Sequence, residues 1–299
     1  MYRYRLYGLL AASDFPLPEL LPADAEDVPA ELSIRLGKAP ADGLVGGVML
    51  SPDCQVAGDE FWLAVPEVAR YRVKAGREIV VEPAAGADAA SVRLYLLGSC
   101  LGALLYQRGW LLLHGNAIRV GDGCLVCVGD SGAGKSTLTA AFLQRGCQVL
   151  ADDVVPVNDA GEAIPGYPRI KLWQDAADRL GLTTTGLRRI SPELEKFNYP
   201  LGDRFCATAL PIRWLYVLEQ GAVEEPAIQP IEGVARFTAL RDNSYRFEYL
   251  AGMGLLASHL RQCATLANRT RIATLTRPAI GYPPARLADR LLLDAHTDH

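Results

Sequence analysis

The chain has 299 residues, half of them apolar and 21% charged, a globular composition with room for one large domain or two smaller ones. Its net charge of −4 lacks the basic surplus of a general nucleic-acid binder, so no nucleic-acid partner is expected. Seven cysteines, an odd number spread along a long chain, read as reduced thiols rather than a disulfide framework and point to a cytoplasmic setting.

The first strand is predicted over 2–10, where Tyr2, Tyr4, Leu6 and Gly8 alternate with Arg3 and Arg5. Asp14 interrupts before any signal-peptide apolar core develops, so no leader is expected. Short strand-like runs follow at 32–36, 61–65, 71–73 and 78–81, broken by Pro, Gly and Asp. Residues 83–90 form a turn and helix entry, and 91–108 carry apolar residues at helical spacing with Gly109 as the stop. The uncharged run 94–106 is shorter than the roughly 20 residues of a membrane span, so no membrane partner is expected.

The rhythm changes at Trp110. Two apolar strands over 110–120 and 124–128 precede a glycine-rich turn, a helix to Arg145 and a strand over 147–151. That order opens an α/β unit with a parallel pair. A strand at 215–219, helices at 237–240 and 255–267 and a late strand at 272–275 follow. His296 and His299 fall in an acidic tail expected to fray. Cys124 and Cys127, three apart on a strand, point to opposite faces and read as core thiols. Trp110, Trp173 and Trp214 read as core or interface residues.

The strongest motif is Gly129-Asp130-Ser131-Gly132-Ala133-Gly134-Lys135-Ser136-Thr137, a full match to the Walker A pattern between an apolar strand and a helix. Gly129, Gly132 and Gly134 let the backbone curl so that successive N–H groups form a nest for phosphate oxygens. The helix start adds partial positive charge. Lys135 brings a full charge to the outer phosphates, and Ser136 offers a hydroxyl to Mg²⁺. Asp152 and Asp153 end the next strand only 17 residues after Lys135, at the strand end that faces ligands in parallel α/β sheets. Early acidic placement suits a phosphotransferase, with one carboxylate accepting a hydroxyl proton and the other organising metal. His114 ends the apolar run Leu111-Leu112-Leu113, 22 residues before Ser136.

Together His114-Gly115, Gly129 to Ser136, Arg145-Gly146 and Ala151-Asp152-Asp153 resemble the HPr kinase/phosphorylase family, with matching intervals across about forty residues. The resemblance implies an α/β fold: a P-loop catalytic domain of the HPr kinase/PEP-carboxykinase-like type over 91–299, beside a smaller, mainly β region over 1–90. It implies ATP, Mg²⁺ and transfer to a serine hydroxyl of a peptide or small protein. Asp153 is then the proton acceptor and His114 a second active-site residue, with Ser136 and Asp152 on the metal side. Thr137 stands where the bifunctional enzymes carry Glu, and their Gly-Leu-Gly segment and Pro-Gly-Arg loop are not visible. Residues 168–173 and 195–197 instead look like the shorter HPr-kinase-related proteins, including kinases found with lasso-peptide biosynthesis genes, which phosphorylate a serine at the end of a precursor peptide.

A phosphotransfer site uses further cations. Arg169 and Lys171 alternate in a strand-like segment, Lys196 lies in a polar loop, and Arg204 follows; Lys196 and Arg169 lead these candidates. Two other readings stay open. One is a metabolite kinase, which needs an arginine-bearing lid that is not identifiable. The other is a nucleotide switch, for which neither Asn-Lys-x-Asp nor Leu-Ser-Gly-Gly is present. An HPr-type regulatory kinase/phosphorylase is a further variant of the first reading. Residues 1–90 could recognise a peptide, form a homo-oligomer interface or cover the catalytic sheet.

Overall fold

The computed structural model describes residues 1–24, 28–179, 181–191, 194–279 and 281–297. It is a mixed α/β molecule. Nine strands between Tyr2 and Pro83 form one sheet, and strands between Leu111 and Pro278 build a second mixed sheet flanked by helices.

The N-terminal segment is two strands rather than one. Tyr2–Leu6 and Leu9–Ser13 pair antiparallel with Leu6 opposite Leu9. Tyr7 and Gly8 make the two-residue turn, both at positive φ (50° and 74°), the backbone that matches strand twist in tight hairpins. A non-glycine residue is held there because its ring is buried edge-on against Tyr167, centroids 5.7 Å apart. The predicted runs at 32–36, 61–65, 71–73 and 78–81 are strands, spanning Leu32–Leu36, Glu60–Val65, Ala69–Lys74 and Glu78–Pro83.

The following helix spans Ala89–Gln107, with a π turn over Leu96–Cys100, and stops before Gly109 at φ 80°. Its 19 residues are long and apolar enough to cross a membrane by length and composition, contrary to the estimate from the 94–106 run. Most of it is buried, since its apolar face packs with the first sheet and residues 245–253 in one core. Asp88 starts it: its carboxylate accepts from the Ser91 N–H at 2.7 Å and the Ser91 hydroxyl at 2.9 Å.

In the second sheet the central strands run Val149–Ala151, Gly115–Val120, Gly123–Val128, Leu210–Gly221, Arg271–Pro278 and Ala227–Pro230, side by side. The expected parallel pair is corrected here. Gly115–Val120 lies antiparallel between Gly123–Val128 and Val149–Ala151, and the parallel partner of Gly123–Val128 is Leu210–Gly221. One face packs on the helices Lys135–Gln144 and Pro284–His296, the other on Val234–Asp242 and Leu256–Arg269. Cys127 joins the first core and Cys124 the second, as their spacing on one strand requires. His296 ends a helix and is not part of a frayed tail; His299 lies outside the described residues.

A separate hairpin, Arg169–Trp173 with Lys196–Pro200, lies over the helix Lys135–Gln144, burying Ile170 and Leu172. Lys196 thus begins a strand instead of sitting in a loop, and Trp173 is 42% exposed, which leaves out the core half of the core-or-interface expectation.

Removing the Asp88 cap leaves the first helical N–H groups of a buried helix to water alone. Asp88→Ala should lower stability by about 1 kcal/mol, read from the urea unfolding midpoint.

Candidate functional site

One edge of the second sheet collects the motif residues. Gly123–Val128 and Val149–Ala151 run in the same sense, so their carboxyl ends meet there. The strand between them runs the other way, so its amino end at Gly115, with His114 just before it, arrives at the same edge. Three separated stretches of chain therefore deliver the turn 129–134, Asp152-Asp153 and His114 to one place.

The turn depends on its glycines. Gly129, Gly132 and Gly134 have φ of 140°, 86° and 102°, values that side-chain-bearing residues rarely adopt. At Gly129 a Cβ would also stand 2.7 Å from the Leu218 carbonyl oxygen, so the turn hugs the neighbouring strand. The helix starts at Lys135, whose ammonium donates back to the carbonyls of Gly129 at 2.5 Å and Asp130 at 3.1 Å. Ser136 and Thr137 occupy the same first turn. Burial, opposed by the nearby aspartates, holds the Lys135 pKa below the usual lysine range.

Asp153 sits at φ 73°, a left-handed conformation that aspartate tolerates better than most. Its carbonyl accepts from His114 Nδ1 at 2.9 Å, while its carboxylate lies 3.7 Å from the same ring nitrogen. Burial, followed by the Lys135 charge, lowers the His114 pKa, against the opposing pull of Asp153. His114 is a hydrogen-bond donor that holds a strained backbone in place.

The Asp153 carboxylate is paired with Lys171, Oδ2 to Nζ 2.5 Å. Burial alone would raise its pKa, but the Lys171 charge and hydrogen bond outweigh it, helped by His114 and Lys196. The net effect places Asp153 below the usual carboxylate range. Lys171 shows the mirror case, burial outweighed by Asp153, and lies above the usual lysine range.

Asp152 points into a different environment. Oδ1 accepts from the Asn116 amide at 2.7 Å and Oδ2 from the Lys171 backbone N–H at 2.6 Å. The same Asn116 amide donates to Thr139, whose hydroxyl donates to the Lys135 carbonyl at 3.1 Å. Asn116 and Thr139 therefore tie Asp152 to the start of the helix. Neither was identified from sequence; Asn116 lies two residues past His114, on the strand that begins at Gly115, and that proximity was the available signal. Burial, then the Asp153 charge, pushes Asp152 up to about 6. Adjacent carboxylates with pKa values driven apart are a recurring feature of acid–base sites.

The other cations divide. Arg169, Lys171 and Trp173 share one face of their strand, and Lys196 pairs with Trp173 across the hairpin. Lys196 Nζ lies 5.2 Å from the Trp173 ring centre, and its pKa, lowered by burial, responds to Asp153, Lys171 and Asp152. Arg169 is buried, stacked 4.9 Å over Tyr167 and bonded to Asn198. Arg204 is elsewhere. Its guanidinium donates to the Gly146 carbonyl at 2.6 Å, past the far end of the ten-residue helix, about 15 Å from Lys135. It holds the turn that follows that helix and does not join the group. Among the described residues no group of three or more His, Cys, Asp or Glu could hold a metal by itself.

Neither a family model nor a curated protein matches the chain. Among solved structures it is similar to the HPr(Ser) kinase/phosphatase from Coxiella burnetii. That likeness has 12% identity and a TM-score of 0.29 over 62% of this chain and 95% of the other. At that level the chemistry rests on the geometry of this chain.

Asp152 gives a pH prediction. Its folded pKa of about 6 exceeds the ordinary aspartate value of about 4, so folding favours the protonated form. That contribution is complete below pH 4 and lost as pH rises through 6. Asp152→Asn, which cannot ionise, should therefore gain stability relative to the parent as pH rises from 4 to 7. Urea midpoints at both pH values check this; a difference independent of pH would contradict it.

Proposed function

We propose that the protein is an ATP-dependent kinase that transfers the γ-phosphate to a serine hydroxyl of a peptide or small protein. The observation that carries this reading is the pairing of a phosphate-type nest at Lys135 with Asp153 on the same sheet edge, ringed by Lys171 and Lys196. A nest and a lysine bind a polyphosphate. Transfer further needs a group that takes the acceptor proton and cations that stabilise the migrating charge.

Asp153 fills the first role. Its side chain is 28% exposed, whereas both oxygens of Asp152 are already engaged. A low-pKa carboxylate is a weak base in water. In a loose phosphoryl-transfer transition state the hydroxyl keeps its proton until late, so position matters more than basicity. Lys171 orients Asp153, and His114 fixes the backbone that presents it. Lys135 and Lys196, both within electrostatic reach of Asp153, are the cations for the phosphate charge.

Magnesium fits the donor set. Ser136 and Asp152 would supply two oxygen donors, Asp152 through a lone pair left beside its hydrogen bonds to Asn116 and Lys171, and Mg²⁺ ordinarily completes its shell with water and phosphate oxygens. When bound it would neutralise charge on the phosphates.

The motif pattern favours a serine near the end of a precursor peptide as the acceptor. The 1–90 region is proposed as the side that recognises the peptide or forms an oligomer contact, with 91–299 as the kinase part.

Incubation with γ-labelled ATP and either serine-ended peptides or a metabolite panel tests the substrate class; label only on metabolites would remove the peptide reading. Asp153→Asn should keep ATP affinity and lose transfer by on the order of 10²–10⁴-fold, the usual worth of a positioned proton acceptor. Transfer at the parent rate would overturn the assignment. Lys135→Ala should weaken ATP binding itself, measured by titration calorimetry.

A further inference from the structure

A second cation reaches the glycine-rich turn from a distant strand. Arg277 stands near the carboxyl end of Arg271–Pro278, opposite Gln220 on the parallel neighbour. Its Nη2 and Nε donate to the Ala133 carbonyl at 3.0 and 3.3 Å, and Nη1 donates to the Pro278 carbonyl at 3.1 Å. The guanidinium also lies 3.4 Å from where a Cβ on Gly134 would be. Nothing in the Walker A pattern calls for this arginine, and it lies 142 residues beyond Lys135.

Its effect follows from covalent geometry. The Ala133 carbonyl and the Gly134 N–H belong to one peptide unit, planar and trans, so they point in opposite directions. Gly134, at φ 102°, is also the residue most free to let that unit turn over. Holding the oxygen on Arg277 fixes the direction of the N–H. We infer that Arg277 is a positioning residue that clamps the Ala133–Gly134 peptide and so presents the Gly134 N–H to the phosphates of a nucleoside di- or triphosphate. The inference rests on the proposed nucleotide reading of this turn. Without the clamp, the turn spends part of its time in orientations that cannot bind, and apparent affinity falls by that fraction.

The experiment measures the affinity of the full chain for ADP and for inorganic pyrophosphate by titration calorimetry. Arg277→Ala should weaken both by about tenfold, the scale of a hydrogen bond to a charged group. Free guanidinium ion at millimolar concentration should restore much of the loss, which a merely destabilised fold would not show. Arg277→Lys keeps the charge without the two-pronged donor and should fall between parent and alanine variant; it also serves if the alanine variant does not fold. Parent-like binding by Arg277→Ala overturns the clamp. So does parent-like binding by Arg277→Lys together with no guanidinium rescue, because charge alone would then explain the effect. A parent protein that binds neither ADP nor pyrophosphate is a different result, and it removes the nucleotide reading itself.

Discussion

The site depends on one topological constraint, the antiparallel strand Gly115–Val120 inserted between two strands of the opposite sense. A directly paired Gly123–Val128 and Val149–Ala151 would leave no place for His114 between the turn and the aspartates. With the insertion, hydrogen-bonded register sets the spacing: Gly115 faces Val128 on one side and Ala117 faces Ala151 on the other. These strands are buried throughout, apart from the exposed Arg119, so the register has little freedom to slip.

Around that edge the charges balance locally. Lys135, Lys171 and Lys196 interact with Asp152 and Asp153, and Asp130 adds to the negative charge around Lys135. Such a group costs desolvation, and the pairing of Lys171 with Asp153 offsets part of it. The remaining cations are the natural counter-charge for a polyphosphate. His114 spends its Nδ1 hydrogen bond on the Asp153 carbonyl, and so on backbone geometry.

Several features could not be read along the chain. The alternation of Tyr2, Tyr4, Leu6 and Gly8 with Arg3 and Arg5 looks like one strand, because the tight turn places a tyrosine where glycine or asparagine is usual; Tyr7 is buried there against Tyr167. Lys196 looked like a loop residue, since its pairing partner Trp173 lies 23 positions earlier. Arg204 looked like a phosphate contact from its charge alone, yet it bonds the Gly146 carbonyl past the end of the helix remote from the turn. The parallel partner of Gly123–Val128 is more than eighty residues away, beyond any local pattern.

Local chemistry was legible wherever the cause was local. The turn 129–134 needs glycine conformations that neighbouring residues cannot supply, the helix from Lys135 follows directly, and apolar runs mark the buried strands on both sides. Those are short-range sterics and hydrophobic burial, and they are written into consecutive residues. Which aspartate faces solvent, which is tied to Asn116, and which lysine pairs with it depend on long-range strand pairing. Only folding decides them, because electrostatic environment is a property of distances through space and not of positions along the chain.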